Sequence, residues 1–318
     1  MSTRPLIIGE VQIKKPRKNY DFTLTASAYN FSWWFNGKRL ILPMEDDVVV
    51  TVIEDREELI AKIYSFKRKE VNIVYIEDKI RYIIGVDEDL KEFYNIMSRD
   101  PILGPSASVL HGLHVRATTP WLATVIGVCQ QNASFKQGWR MLYNMLSLLG
   151  KRVRIENTKT IIPPKPSDIN EDKLNILKEA KLGYRARTVI ELAKLFSKEE
   201  CLNDWSIKPS VLEEKLLNVK GIGNYTTRLA LVLSLRYYEK PPIDRWLKRL
   251  IIEAYNVDES NVEEEYIKRW SKWSGLAALF TTIALDAEPL TKALERLKKG
   301  LLKPSLDKLS PLTLWRHF

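Results

Sequence analysis

Two kinds of hydrophobic patterning divide the chain. Through about residue 85 the apolar positions alternate or run in β-branched stretches, which predicts strands. Tyr20–Thr25 alternates, as does Arg39–Leu42 after the turn-like Asn36-Gly37. Val48–Ile53 and Val71–Ile76 are β-branched, and Ile80–Ile84 follows the turn-prone Glu77-Asp78-Lys79. Asp55–Ser65, lying among them, has helical spacing. From Asp87 onward the helical period takes over. It marks Asp89–Met97, Trp121–Val128, Ser134–Leu149, Asp172–Ala180, Arg185–Phe196, Val211–Asn218, Thr226–Leu235, Arg245–Tyr255 and Tyr266–Asp286. Ser134…Gln137 and Ser210…Glu213 each have capping-box form, and Pro163-Pro164-Lys165-Pro166 reads as a loop. The expected fold class is α+β. Residues 1–86 form a small antiparallel β domain and 87–318 a helical domain, with the last residues, 304–318, packing back on the first.

Composition narrows the classes. At 318 residues, 45% of them hydrophobic, the chain has material for a packed core and is not disordered as a whole. No apolar run approaches the ~20 residues of a spanning helix, and no signal-like segment opens the chain, so a cytoplasmic location is expected. Two cysteines exclude a disulfide framework or a four-thiolate cluster, and three histidines argue against zinc. Only four glutamines beside abundant Lys, Glu and Ile suggest heat adaptation. Fifty Lys and Arg against forty Asp and Glu leave a net charge of +10. Either this surplus is a solvated surface or it meets a polyanion, most simply nucleic acid.

Candidate chemistry concentrates in Leu216-Leu-Asn-Val-Lys-Gly-Ile-Gly-Asn-Tyr-Thr-Thr-Arg-Leu-Ala230. One helix ends near Asn218, Gly221-Ile222-Gly223 makes a tight turn, and a second helix starts near Asn224. Glycines there let the backbone turn and approach another molecule, Ile222 plugs the gap, and outward amides suit a phosphate. This is the helix-hairpin-helix pattern, although a C-cap and an ordinary αα-hairpin share it. Pro241-Pro242-Ile243-Asp244 then places an acid 19 residues after Tyr225 (244 − 225), which by itself could be an N-cap alone.

With that spacing, the chain resembles the helix-hairpin-helix DNA glycosylase superfamily over about residues 20–290. Leu182-Gly-Tyr-Arg-Ala-Arg187 resembles the element with which 8-oxoguanine glycosylases wedge the duplex. Cys129-Gln-Gln-Asn132 resembles the loop filling the vacated stack, and Ser27-Ala-Tyr-Asn-Phe-Ser-Trp33 the start of their N-terminal domain. Two departures matter. The lyase lysine of bifunctional members is replaced by Tyr225, which cannot form an imine. The glutamine that reads the base edge in 8-oxoguanine enzymes falls on Leu276. The hairpin is similar instead to the DNA-3-methyladenine glycosylase II type.

The resemblance implies a monofunctional enzyme of base-excision repair that removes 3-methyladenine-like alkylated purines flipped from double-stranded DNA. Asp244 would be the catalytic carboxylate, with Tyr225, Phe280, Leu229 and Leu276 around the base. Asn132, Tyr184, Arg185, Gly221, Gly223, Asn224 and Thr226 would contact DNA. The carbonyls of Leu217, Val219 and Ile222 would hold Na+ or K+, with no other cofactor required and the chain a monomer. An 8-oxoguanine glycosylase and a non-catalytic damage-binding protein are the alternatives.

Overall fold

The computed structural model describes residues 5–16, 18–44, 47–67 and 71–318. Its first part contains strand β1 (Leu6–Lys14), helix α1 (Phe22–Ser27), strands β2 (Arg39–Pro43), β3 (Val48–Asp55) and β4 (Glu58–Ser65), and helix α2 (Ile73–Ile84). The strands form one antiparallel sheet in the order β1-β4-β3-β2. One sheet face, with Leu40, Val50, Val52, Leu59, Ala61 and Ile63, packs with Ile76, Ile80, Ile83 and Ile84 of α2.

Three expectations are corrected here. Tyr20–Thr25 is not a strand: Asp21 caps α1 by accepting the Leu24 amide at 2.8 Å, and this local bond outweighs a short alternation. Val71–Ile76 and Ile80–Ile84 are not two strands around a turn. From Ile73 onward they belong to α2, with Asn72 as N-cap and Gly85 in the left-handed conformation as C-cap. Its buried isoleucines at 76, 80, 83 and 84 have helical spacing, which the β-branched composition concealed. Conversely, Asp55–Ser65 ends β3, turns, and forms β4, where Leu59, Ala61 and Ile63 alternate into the core.

The helical part contains α3 (Lys91–Met97), α4 (Pro120–Gln130), α5 (Phe135–Leu149), a hairpin of β5 (Lys151–Ile155) and β6 (Thr158–Ile162), α6 (Leu174–Glu179), α7 (Arg185–Lys198), α8 (Pro209–Leu217), α9 (Asn224–Leu235), α10 (Arg245–Tyr255), α11 (Val262–Trp270), α12 (Ser274–Ala284) and α13 (Leu290–Lys298). The Ser134–Gln137 capping box forms. The Ser210–Glu213 box does not: α8 starts at Pro209, whose fixed φ suits the first helical position, leaving Lys208 as N-cap. The expected helix over Tyr266–Asp286 is broken at Ser271, which has φ 50°.

The hairpin β5–β6 lies inside a stretch otherwise read as helical, and it extends the sheet's outer layer. Val153, Ile155 and Ile162 pack against Ile41, Val49 and Tyr64, and Arg39 pairs with Glu156 at 2.6 Å. The C-terminal residues also return to the first part. The Trp315 ring stands edge-on to Phe35 with centroids 5.0 Å apart, and the Ser32 amide donates to the Phe318 carbonyl at 2.8 Å. Among the described residues, no helix is long and apolar enough to cross a membrane.

Candidate nucleic-acid interface and base cavity

Helices α8 and α9 meet through the turn 218–223. Gly221 has φ +91°, a conformation L side chains rarely adopt, and a Cβ there would stand 2.7 Å from the Thr188 hydroxyl. Ile222 is 8% exposed and fills the space under the turn. Gly223 is the N-cap of α9 with extended backbone and no side chain to accept a hydrogen bond; a Cβ there would meet nothing within 4 Å. The amides of Asn224, Tyr225 and Thr226 therefore donate to no group among the described residues, and Asn224 faces solvent. Thr226 departs from expectation. Its side chain is 1% exposed and packs against α4 at Gly127, so only its amide is available to an outside ligand.

The turn is tied to two exposed neighbours. The Gln131 Nε2 donates to the Gly221 carbonyl and to the Thr226 hydroxyl, both at 2.9 Å. Arg185 in turn donates to the Gln131 carbonyl and, at 3.5 Å, to that of Asn132. Its guanidinium also lies 4.5 Å from the centre of the Tyr184 ring. Asn132 is exposed with φ 44°, and Tyr184 is 62% exposed. Asn132, Tyr184 and the hairpin are thus one hydrogen-bonded unit with two protruding side chains. Arg185 is not a protruding contact: at 8% exposed, it is committed to holding the loop.

The segment leading to Asp244 is fastened from both sides. Arg228 of α9 donates to the Pro241 carbonyl at 3.3 Å and pairs with Glu263 at 2.9 Å. The Ser274 hydroxyl donates to the Tyr238 and Glu239 carbonyls. Asp244 caps α10, accepting the Leu247 amide at 2.8 Å, and has an accessible face toward solvent. The protein packed around the carboxyl group nonetheless raises its pKa by desolvation, against the lowering effect of the Leu247 and Trp246 amides. Tyr225 stands close enough to feel this charge. Its phenol is held protonated first by burial and then by Asp244.

Tyr225 also lines a cavity of about 280 Å³ between the two parts of the molecule. Tyr225, Leu229, Leu279, Tyr29, Trp139 and Gln130 form one end of it; Thr118, Leu233, Lys79 and Trp205 form the other. The ends are assigned by α4 and α9, which run side by side from the Gly127–Thr226 contact to the bond from the Thr118 amide to the Leu233 carbonyl. Tyr225 and Leu229 occupy the expected wall, but Phe280 and Leu276 do not. Both are completely buried in the helical core, Phe280 edge-on to Phe93 at 4.7 Å. Leu276, Phe280 and Ile283 share the core face of α12, while Leu279 and Thr282 turn to the cavity. Tyr29 and Trp139, stacked with centroids 5.6 Å apart, complete the aromatic wall and were not singled out from sequence. Tyr29 lies within Ser27–Trp33, so a signal was present for it; Trp139 reads as an ordinary apolar position of α5.

No family model matches the chain. A DNA-3-methyladenine glycosylase of Bacillus subtilis is 22% identical over 254 residues, 73% of this chain and 80% of that protein. Among solved structures, a 3-methyladenine DNA glycosylase from Archaeoglobus fulgidus superposes with a TM-score of 0.70 at 19% identity, covering 85% of this chain and 96% of that one. The apo form of Clostridium acetobutylicum 8-oxoguanine glycosylase/lyase gives 0.67 at 16% identity, covering 88% and 98%. The fold is that of the helix-hairpin-helix DNA glycosylases. Within that fold, Tyr225 lies on the wall of the cavity.

Proposed function

We propose that the chain is a monofunctional DNA glycosylase that hydrolyses the N-glycosidic bond of an alkylated purine extruded from duplex DNA. The observation that carries this reading is the position of Tyr225. It follows directly on the exposed amides of the hairpin and lies on the cavity wall. A strand held through its phosphates by the hairpin would therefore set one nucleotide beside a base-sized cavity, with Asp244 outside the cavity lining at the start of α10.

As the bond between C1′ and the base nitrogen breaks, the base leaves with the electron pair and positive charge grows on the sugar. The Asp244 carboxylate stabilises that charge and takes a proton from the water whose oxygen bonds to C1′. An alkylated purine is already cationic, so it departs neutral without an acid to protonate it. Such a base also stacks well on the electron-rich rings of Tyr225, Tyr29 and Trp139. Asn132 and Tyr184, the two protruding side chains, suit the space left in the duplex.

The carbonyls of Leu217 and Ile222 accept no hydrogen bond among the described residues, and that of Val219 accepts only the Ile222 amide at 3.0 Å. These three oxygens fit a Na+ or K+ ion, which when bound would add positive potential beside the phosphate.

Incubation with a panel of lesion duplexes tests the reading. Alkylated purine should be released, with strand scission appearing only after added alkali. Borohydride should trap no covalent adduct, because no amine occupies the position of Tyr225. Trapping of such an adduct, or scission without alkali, would sink the monofunctional assignment.

A second prediction concerns Gly223→Asp. Aspartate is a favoured N-cap, the site has room, and its charge suits a helix N-terminus, so the melting temperature should hold or rise. The same carboxylate would occupy and repel the phosphate site. Duplex affinity, measured by fluorescence anisotropy at fixed salt, should fall at least about tenfold, the scale of one lost charge-assisted hydrogen bond.

A further inference from the structure

Three cations line the cavity among the described residues, Lys79, Arg116 and Lys165, and of these Arg116 is anchored by hydrogen bonds with a donor left over. Arg116 lines the wall between the two ends. Its Nε donates to the Thr25 carbonyl at 3.0 Å, and its Nη2 to those of Ala28 at 2.8 Å and Tyr29 at 3.4 Å. Its Nη1 has no acceptor among the described residues, yet it is not one of the sealed, unpartnered atoms, so it keeps accessible surface. Arg116 is partly exposed and lines the cavity, so a ligand there can approach it. No carboxylate lines the cavity among the described residues. Enclosure of the guanidinium without an anionic partner brings its pKa down to about 10, still far above neutrality.

The three carbonyls fix this side chain from one side, all of them on the segment that carries Tyr29. Tyr29 in turn stacks on Trp139 at the end of the cavity where Tyr225 lies. A base stacked on these rings would therefore share the cavity with the Arg116 cation.

We propose that Arg116 is a specificity-determining residue: its free Nη1 donates to an acceptor on the edge of the extruded purine, so that guanine-derived bases are preferred over adenine-derived ones. Guanine presents an oxygen at C6, whereas adenine presents an amino group there. An adenine-derived base would set its amino hydrogens against the guanidinium and leave a buried charged donor unpaired. Ring alkylation at N3 or N7 leaves the C6 oxygen free to accept. This inference rests on the glycosylase reading and deepens it by naming the base class.

The test uses duplex DNA treated with dimethyl sulfate, with released bases separated by chromatography. Rates are compared within pairs alkylated at the same nitrogen, 3-methylguanine against 3-methyladenine and 7-methylguanine against 7-methyladenine, each corrected for its amount in the DNA. The full-length wild type should favour the guanine member of each pair by about 10- to 100-fold. Arg116→Met, checked by its melting temperature, should bring both ratios to about one. Should that variant not fold, inhibition of the wild type by the free bases supplies the readout, with free 3-methylguanine inhibiting more tightly than free 3-methyladenine. Equal release within pairs, a preference for adenine, or a ratio unchanged in a folded Arg116→Met protein overturns the proposal and leaves the glycosylase reading intact. Release of no base from any pair overturns the glycosylase reading, and this inference with it.

Discussion

Asp244→Asn is expected to lower the single-turnover rate of base excision by roughly 10²–10⁴-fold, the usual contribution of a positioned acid–base group, while leaving the fold as stable as before. Rate and stability separate because the residue has two roles. As N-cap of α10 it accepts the Leu247 amide at 2.8 Å, and asparagine accepts that bond about equally well. As a carboxylate it brings a charge that its surroundings disfavour, since burial raises its pKa above the ordinary aspartate value. A carboxyl group whose pKa is higher folded than unfolded contributes stability that is fully present below the unfolded value and lost as pH rises through the folded value. At neutral pH the charge therefore opposes folding, and its removal does not lower the melting temperature. The same direction governs the wild-type pH profile: excision should fail, as pH drops, at a higher pH than an ordinary aspartate would dictate. The acid limb should vanish from whatever residual rate Asp244→Asn retains. A folded Asp244→Asn protein with undiminished excision would remove Asp244 from the chemistry and leave the rate to another group.

The backbone features around this carboxylate are more legible in the sequence than the cavity wall, for a physical reason. Gly221, Gly223 and Asp244 are legible because each answers a backbone demand: a positive φ, an open N-cap and a side-chain cap. Those demands leave residue-type signatures at fixed spacing. The cavity wall makes no such demand. Phe280 and Leu279 are both apolar and adjacent on α12, and only the rotation of that helix against α3 decides which one faces the cavity. Arg185 and Thr226 illustrate the same limit, since both have side chains suited to DNA and both are turned inward by packing. In the first part of the chain, local chemistry and burial outweigh composition: isoleucine-rich α2 is a helix because one face of it covers the sheet.

Arg236→Ala is expected to destabilise the protein by about 3–5 kcal/mol, the scale of removing one partner from a buried ion pair. For a chain of this size that corresponds to a fall in melting temperature of order 10 °C. Arg236 ends α9 in the left-handed conformation and turns into the seam between the two parts of the molecule. Its Nη1 pairs with Glu88 at 2.7 Å and donates to the Val115 carbonyl and the Tyr238 hydroxyl, each at 3.1 Å. Its Nη2 donates to the Tyr82 and Ile83 carbonyls at 2.8 and 3.2 Å, so a cation closes the C-terminal turn of α2 where the helix dipole favours one. Glu88, left without Arg236, would be an enclosed carboxylate with His114 at 3.5 Å and the Tyr238 hydroxyl beside it, and no permanent cation. In the intact protein the charges of Arg236 and His114 outweigh its desolvation and hold its pKa below the usual glutamate value. A depressed carboxylate contributes stability above its unfolded pKa and loses it as pH falls through the folded value. The penalty of Glu88→Gln should therefore be largest at neutral pH and shrink under acid conditions. Thermal melts of Arg236→Ala, Glu88→Gln and the double variant measure the coupling directly. The double variant should be less destabilised than the sum of the two, and strict additivity would show that this pair does not act as one unit.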